Sequence, residues 1–391
     1  MIERVALVSI HTSPLAPPGA GDAGGMNVYV DALARTLASR GICVDVFTRS
    51  DELRETVVCP GYTVVELPAA GDDLATLVAA FADGIGGWVA GRGIRYDVLH
   101  SHYWLSGWAG VLLQERLNVP LAISFHTLGR VKEAARTPAE PRESLVRIAA
   151  EVDVVARAEC MVASTPADAA DLIEHYQANP ERICVSPPGV DHSVFSPGDR
   201  RAARDRFGLG AGPIVGFVGR IQTLKGVDVA IRAVAALPEV RLFVVGGPSG
   251  PEGDADLAGF RALAEEVAPG QVTFHAPVAH SDVVEVYRAV DALIVPSRAE
   301  SFGLVALEAQ ATGTPVVASR VGGLPYVVLD DESGFLVAGH DPADYAEALG
   351  RTLFDPETAA DLSAGAVKRA ETFSWDGTVD RLLELYRGMV E

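Results

Sequence analysis

Two cations follow a predicted strand in the second half of the chain. Arg220 and Lys225 lie in the stretch FVGRIQTLKG, just after the apolar run at 214–218 and beside two glycines. A pair of cations at a strand end can clamp a diphosphate, because their charges add and glycine lets the backbone approach closely. On this spacing alone, a solvated surface loop is an equal alternative.

The stretch PSRAESFGLVALEA predicts a second anion-binding feature, since a strand ending at Val295 is followed by a loop and a helix start. N–H groups at a helix start lack acceptors within the helix and, together with its dipole, favour an anion. The carboxylates of Glu300 and Glu308 are acceptors suited to sugar hydroxyl groups. A single acidic residue placed to favour the helix dipole would explain one of them but not both. The loop and the first helical position are Glu300, Ser301, Phe302, Gly303 and Leu304.

A Gly- and Pro-rich stretch, HTSPLAPPGAGDAGGMNVYV from His11 to Val30, separates the first apolar run from the first helical pattern. Such a composition indicates either a plain connector or a backbone surface that a ligand approaches closely. Its GAGDAGG core lacks the strand–GxGxxG–helix register of a dinucleotide site. The stretch by itself leaves both interpretations open.

Histidines cluster at two predicted strand ends in the first half. The motif HSHYWLSGWAG carries His100, His102 and Tyr103, and SFHTLGRVKE carries His126 and Thr127. Because no carboxylate accompanies them, a structural or substrate-contacting role is favoured over a metal site, and no metal is predicted. No G-x-S-x-G turn occurs, so the sequence does not support a hydrolase nucleophile.

Short β-branched runs alternate with segments of helical spacing through both halves of the chain. This alternation predicts parallel sheets covered by helices on both faces, with ligands beyond the carboxyl ends of the strands. The two series are separated by FSPGD, near residue 197. The predicted fold is therefore α/β, with two doubly wound, Rossmann-like parallel-sheet domains facing a cleft.

Bulk properties narrow the functional class. The chain has 391 residues, a length that favours two domains, and 49% hydrophobic with 21% charged residues predicts a globular protein. A net charge of −20 argues against nucleic acid as a partner. No apolar run approaches the length of a membrane span, and the short acidic start predicts no signal peptide. Four cysteines without paired spacing suit a reducing cytoplasm.

These motifs resemble those of the retaining glycosyltransferases of family 4, which have the GT-B fold. Glu300 and Glu308 match the EX7E motif of that family, and Arg220 and Lys225 match its R-x4-K pair. The further motifs PPGVD, GGPSGP and RVGGLP, with the Gly-rich and histidine stretches, are closest to the branch that acts in mycothiol biosynthesis. The resemblance implies an acceptor-binding domain at 1–196, a nucleotide-sugar-binding domain at 200–373, and a helix at 374–391 that returns to the first domain.

The resemblance also implies roles for individual residues. His126 would contact the transferred sugar and act in catalysis with Arg220, Lys225 and Glu300, and Glu308 would hold the ribose. The implied donor-binding set is Gly24, Gly25, Arg220, Lys225, Glu300, Ser301, Phe302, Gly303, Leu304 and Glu308. The implied acceptor-binding set is Asn27, Tyr103, Thr127 and Arg147.

The implied reaction moves an N-acetylglucosaminyl or glucosyl group, with retention, from a nucleotide-diphosphate sugar to a small polar cyclitol such as 1D-myo-inositol 3-phosphate. The donor is expected to be UDP-linked, and no cofactor or metal is needed. Expected partners are therefore small molecules, with no nucleic acid and no membrane insertion; a homodimer is left open. A phosphorylase-like enzyme would need a lysine that carries pyridoxal phosphate, and no sequence motif supports one. A non-catalytic sugar-nucleotide-binding module would not need both Glu300 and His126.

One departure from the family concerns the acceptor phosphate. The family places a lysine in a loop that is shortened here to PAAGDDLATL, with Gly71, Asp72 and Asp73 where the cation is expected. Loss of a charge-assisted contact predicts weaker phosphate binding. Two interpretations stay open: an unphosphorylated cyclitol, aminocyclitol or thiol acceptor of an antibiotic pathway, or replacement of the lysine by Lys132 or Arg130.

Overall fold

The computed structural model describes residues 1–17, 19, 23–136, 142–249 and 253–391. Parts of the Gly-rich stretch (18 and 20–22) and of the GGPSGP motif (250–251) lie outside the described residues. The chain divides into two compact units. Unit 1 comprises 1–16, 25–188 and 375–391, and unit 2 comprises 17–24 and 189–374.

Unit 1 is built on an eight-stranded sheet with the order β3-β4-β2-β1-β5-β6-β7-β8. All neighbouring pairs are parallel except β3 with β4. Strands β5, β6 and β7 are buried at every position, as expected for a sheet covered on both faces, although β5 (VLHSH) contains three polar residues. The strands are β1 (Arg4–Val8), β2 (Cys43–Ser50), β3 (Arg54–Cys59), β4 (Tyr62–Pro68), β5 (Val98–His102), β6 (Leu121–Ser124), β7 (Cys160–Ala163) and β8 (Ile183–Val185).

Helices cover both faces of this sheet. The last helix of the chain belongs to unit 1, where Val379, Leu382 and Tyr386 join the core formed by the first helix and the central strands. The helices are α1 (Gly25–Ser39), α2 (Leu74–Arg92), α3 (Trp104–Leu117), α4 (Gly129–Ala134), α5 (Leu145–Arg157), α6 (Pro166–Tyr176) and, at the end of the chain, α15 (Trp375–Val390).

Helix α2 is a core helix of unit 1. Among the described residues it alone is long and apolar enough, by length and composition, to cross a membrane. Its residues Phe81, Ile85 and Trp88 nevertheless lie in the main hydrophobic core. Asp73 caps its N-terminus in a capping box with Thr76. The composition of α2 is thus explained by its packing.

Unit 2 is built on a six-stranded, fully parallel sheet with the order β11-β10-β9-β12-β13-β14. Its strands are β9 (Ile214–Val218), β10 (Arg241–Val245), β11 (Val272–His275), β12 (Ala292–Val295), β13 (Val316–Ser319) and β14 (Gly334–Val337). Its helices are α7 (Arg200–Phe207), α8 (Val227–Ala235), α9 (Gly253–Val267), α10 (His280–Ala289), α11 (Leu304–Ala311), α12 (Leu324–Val327), α13 (Pro342–Phe354) and α14 (Pro356–Ala370).

The prediction of two Rossmann-like parallel-sheet domains is confirmed. The antiparallel pair β3 and β4 was not predicted, because β3 (RETVVC) is largely exposed and carries no continuous apolar run. The chain passes between the units at 16/17, 24/25, 188/189 and 374/375, and the sequence had suggested boundaries at 196–200 and 373–374 only. The acceptor and donor roles assigned to the two domains remain predictions.

Candidate active site

The loop that carries Lys225 follows β9 in unit 2. A short 3₁₀ helix, Thr223–Lys225, is followed by Gly226 with φ of 72°, where an added Cβ would lie 2.1 Å from the carbonyl oxygen of Pro296. Only glycine permits this approach between the β9 and β12 loops. Arg298 ties the same loops together, since its backbone N–H donates to the carbonyl of Leu224 at 2.8 Å.

One of the two predicted cations, Lys225, meets the first predicted carboxylate, Glu300, at this edge of the sheet. Lys225 Nζ lies 2.6 Å from Glu300 Oε2, and the two side chains are 21% and 17% exposed. Arg220 has no ion-pair partner among the residues that the structure describes. A Cβ added to Gly24 would lie 3.7 Å from Arg220 Nε, so the end of the Gly-rich stretch borders this guanidinium.

The N-terminus of α11 adjoins this ion pair. Gly303 is the N-cap with φ of 100°, and no side chain caps the helix. The ESFG loop before it, residues 300–303, is held from behind by Gly322 and Gly323, where an added Cβ would lie 2.0 and 2.1 Å from the carbonyls of Glu300 and Ser301. The RVGGLP motif gave this signal in the sequence, but no role was assigned to its glycines. A helix start without a side-chain cap, next to the Lys225–Glu300 ion pair, favours an anion.

Glu308 is buried at the centre of a hydrogen-bond network. Its carboxylate accepts from the Tyr287 hydroxyl at 2.7 Å and lies 2.8 Å from His280 Nε2. Burial and the neighbouring carboxylate raise the pKa of Tyr287 well above its ordinary value, so this hydroxyl stays a donor. Sequence reasoning missed Tyr287 and His280, because their spacing on α10 is that of any amphipathic helix.

In unit 1 the histidine and acceptor motifs meet at the carboxyl ends of β5 and β6. The register pairs His102 with Ser124, which places Tyr103 and His126 just beyond neighbouring strand ends. Both of those residues have positive φ, 75° and 60°, and Thr127 N donates to the carbonyl of Phe125 at 2.7 Å across His126. This tight γ-turn is a strained conformation, of the kind that clusters at functional sites.

Arg147 supports the other predicted acceptor residues. Its Cζ lies 5.1 Å from the ring centre of Tyr103, and its Nη2 donates to both the carbonyl and the hydroxyl oxygen of Thr127, at 3.0 and 3.2 Å. Its other nitrogens bond Glu143 and the fully buried Glu151. Arg147 is itself only 4% exposed, so it acts from beneath Tyr103 and Thr127.

Asn27 lies at the start of α1 and holds the Gly-rich stretch. Its Nδ2 donates to Thr12 Oγ1 at 2.9 Å and to the carbonyl of Ser13 at 2.5 Å. Asn27 is 2% exposed, whereas the preceding Gly25 is exposed at the first turn of the helix. The amide of Asn27 thus fixes the loop, and Gly25 presents the open backbone.

The shortened loop before α2 has a structural explanation for its composition. A Cβ added to Gly71 would lie 2.3 Å from the backbone nitrogen of Leu77, so no lysine fits there unless the first turn of α2 moves. Hydrogen bonds from Thr76 lower the pKa of Asp73, which serves as the helix cap. Neither residue is available as a phosphate ligand.

The two candidate replacement cations differ in their contacts. Lys132 Nζ lies 2.5 Å from Glu143 Oε1, on the same carboxylate that Arg147 contacts. Arg130 instead donates to the carbonyl of His175 and lies over the ring of Tyr176. Lys132 is therefore the candidate that shares a carboxylate with Arg147. Across the described part of the chain, no group of three or more His, Cys, Asp or Glu side chains is arranged to hold a metal.

Comparisons with known proteins identify the family of this chain. The profile of the family Glycosyl transferases group 1 matches residues 199–369, and that of Glycosyltransferase Family 4 matches residues 23–194. The D-inositol 3-phosphate glycosyltransferase of Acidothermus cellulolyticus is 47% identical over 98% of this chain and 90% of the relative. The enzyme of the same name from Mycobacterium marinum is 47% identical over 99% of this chain and 86% of the relative.

Solved structures show the same fold. Sucrose-phosphate synthase from Thermosynechococcus elongatus superposes with a TM-score of 0.91 at 32% identity, covering 99% of this chain and 98% of that one. Anabaena HepE in complex with UDP and glucose superposes with a TM-score of 0.80 at 19% identity, covering 99% and 100%. The chain therefore belongs to glycosyltransferase family 4 and is a hexosyltransferase of the GT-B fold.

Proposed function

We propose that this enzyme transfers a hexosyl group from a UDP-sugar to an inositol phosphate, with 1D-myo-inositol 3-phosphate as the acceptor. The observation that carries the acceptor assignment is the 42–48% identity, over nearly the whole chain, to relatives named D-inositol 3-phosphate glycosyltransferase. An unphosphorylated acceptor is not favoured by these relatives. N-acetylglucosamine and glucose are the two sugars proposed, and the cytoplasm is the proposed location.

On the donor side, Arg220, Lys225 and the N-terminus of α11 take the diphosphate. The ammonium group of Lys225 is paired with the carboxylate of Glu300. An incoming diphosphate replaces that carboxylate as the anion beside Lys225. Glu300 is then released to accept from hydroxyl groups of the sugar. Glu308, held by Tyr287, is placed as the acceptor for the ribose hydroxyls.

The chemical step breaks the bond between the anomeric carbon and the diphosphate oxygen and forms a bond from that carbon to an acceptor hydroxyl. The proton of the hydroxyl passes to the departing phosphate oxygen on the same face, which retains the anomeric configuration. Preorganised positive charge at the leaving group lowers the barrier, since negative charge develops there in the transition state. Arg220, Lys225 and the α11 dipole supply that charge without a metal.

On the acceptor side, the hydroxyl groups of Tyr103 and Thr127 are donors for a phosphate. Thr127 Oγ1 already accepts from Arg147, so its own proton is left to donate outward. Lys132, 44% exposed beside Glu143, supplies the mobile cation that the shortened loop cannot carry. The phosphate thus meets two oriented hydroxyls and one lysine.

The test compares acceptors with and without phosphate. UDP-N-acetylglucosamine and UDP-glucose are each incubated with inositol 3-phosphate or myo-inositol, and products are detected by mass spectrometry. We expect kcat/KM to be at least about 10-fold higher for the phosphorylated acceptor, as a charged hydrogen bond is worth that much. The Lys225→Ala variant controls for contaminating activity. Preference for myo-inositol or an aminocyclitol would overturn the acceptor assignment.

A further inference from the structure

A hydrogen bond between two histidines links the ends of β5 and β6. His102 Nδ1 lies 3.1 Å from His126 Nε2. His102 is fully buried, and its Nε2 has no hydrogen-bond partner within the described part of the chain. His126 is only half-buried. The two rings thus differ in exposure although they share one hydrogen bond.

Only one of the two nitrogens in this bond carries the proton when both rings are neutral. If His126 Nε2–H donated, His102 would carry its proton on Nε2, leaving a buried N–H group without an acceptor. If His102 Nδ1–H donates, the unpartnered Nε2 is instead a bare lone pair. Orphaned buried N–H groups are rarer than unsatisfied acceptors, which favours the second arrangement.

The surroundings hold both rings in place. The His102 ring lies 4.4 Å from that of His100 and 5.3 Å from that of His126, and Tyr29 packs edge-on against His126 at 5.1 Å. His126 itself has a positive φ of 60°, just beyond the end of β6. Packing and strain fix where the ring lies, but only a hydrogen bond can select which nitrogen carries its proton.

We propose that His102 is a positioning residue that donates from Nδ1 to Nε2 of His126 and so holds His126 in the tautomer with its proton on Nδ1. His126 then presents a neutral N–H donor for a hydroxyl of the transferred sugar. The sugar contact rests on the proposed function, whereas the tautomer does not. Nothing in the fold assigns His102 to the donor or acceptor set, so its role is indirect.

Burial supports the neutral form of both partners. It lowers the pKa of His126 to about 4 and that of His102 well below its ordinary value, with neighbouring histidines adding to the effect on His102. Both shifts favour the neutral rings near neutral pH, where the bond between them contains a single proton.

The direct test is the tautomer of His126 in the ligand-free enzyme. Protein labelled with ¹⁵N at histidine is examined by two-bond ¹H–¹⁵N correlation at pH 7, with His126 assigned from the His126→Asn variant. We expect the pattern of a ring protonated on Nδ1. A ring protonated on Nε2 overturns the proposal, and this readout does not depend on which acceptor the enzyme uses.

Two variants at position 102 separate hydrogen bonding from packing. The amide of His102→Asn can donate from nearly the position of Nδ1, so the tautomer is retained and kcat falls less than about 10-fold. His102→Leu fills space without a donor, so His126 shifts towards the Nε2-protonated form and kcat falls by about 100-fold, a loss typical of a misaligned group. KM for the donor changes less than kcat in both variants.

His100→Asn is the matched control, because His100 stacks on His102 but bonds Tyr386 and Ser124 instead of His126. We expect the tautomer of His126 to be unchanged in this variant. Equal losses of kcat in His100→Asn and His102→Leu, with the tautomer unchanged in both, would show that only packing matters. If His102→Leu does not fold, the tautomer of His126 in the wild type and in His102→Asn still tests the proposal.

Discussion

The strand-end regions of the two units differ in their electrostatics. In unit 2 the β9 and β12 loops carry Arg220, Lys225 and Glu300 and lead into the N-terminus of α11, and Lys225 is compensated by Glu300. In unit 1 the β5 and β6 ends gather neutral histidines and hydroxyls above a buried, fully paired arginine. The first region is charged, and the carboxylate paired with Lys225 can be replaced there by another anion. The second region is neutral, and its groups are already hydrogen-bonded to one another.

The difference follows from what each region is proposed to hold. A departing diphosphate gains negative charge during the reaction, so fixed positive charge there selectively stabilises the transition state. Sugar and acceptor hydroxyls stay close to neutral and need oriented donors and acceptors. Charge in unit 1 would bind ground and transition states alike.

The largest expected effect comes from breaking the charged region. Lys225→Ala should lower kcat by at least about 100-fold, because it removes a preorganised charge from the leaving group. Steady-state assays with thermal denaturation separate this effect from misfolding, and Lys368→Ala, at an exposed lysine on α14, is the matched control. Activity within a few fold of wild type would mean that the donor diphosphate lies elsewhere.

The second prediction concerns Glu308. Glu308→Gln should raise KM for the UDP-sugar by about 30-fold with a smaller change in kcat, since a charged hydrogen bond to a ribose hydroxyl is lost. Tyr287→Phe removes one donor to the carboxylate but keeps its charge, and should raise KM by less. If both variants bind donor normally in calorimetry, Glu308 has a structural role only.

The neutral region predicts the pH dependence of stability. Burial lowers the pKa of His100 to about 3 and of His126 to about 4. The unfolded chain therefore takes up protons below about pH 6.5 that the folded chain refuses, so the free energy of unfolding falls as the pH falls from there towards 4. Each histidine adds a slope of at most about 1.4 kcal/mol per pH unit.

Urea unfolding between pH 7 and pH 5 measures this slope. It should be shallower in His100→Asn, since one buried histidine is gone. His192→Asn, which removes an exposed histidine of unit 2, should leave it unchanged. The same slope in wild type and His100→Asn would show that the buried rings are hydrated or protonated in the folded state.

The smallest effect is expected at Lys132, the proposed cation for the acceptor phosphate. Lys132→Gln should raise KM for inositol 3-phosphate by about 5-fold, at the weak end for a charge-assisted contact because the lysine is partly exposed. The KM for the UDP-sugar should not change. Arg130→Gln is the comparison, as its guanidinium is already bonded to the carbonyl of His175. An equal rise in both variants would argue against a specific role for Lys132.

Much of the donor region was predictable from the sequence, because short motifs follow strands whose apolar runs are easily recognised. Arg220, Lys225, Glu300 and Glu308 were all singled out by type and spacing. The ion pair between Lys225 and Glu300 was not, since it joins residues 75 positions apart whose loops meet only through the order of β9 and β12.

The acceptor region was harder to predict, because its geometry depends on backbone conformation and on pairing across strands. The positive φ of Tyr103 has no signature in residue type, and that of His126 has only a weak one, since histidine is modestly enriched at positive φ. The bond between His102 and His126 requires the β5–β6 register. The composition of PAAGDDLATL suggested lost phosphate binding, whereas Asp73 and Gly71 proved to be fixed by the capping of α2.

The pair of glycines behind the ESFG loop bears on how the donor specificity of this enzyme could be redesigned. At Gly322 and Gly323 even a methyl group would collide with backbone oxygens at 2.0 and 2.1 Å, so alanine there displaces the main chain of Glu300 and Ser301. Saturation libraries aimed at new sugar nucleotides should therefore leave both positions untouched. Diversity is better placed at position 301, whose side chain can change while this main-chain support is kept.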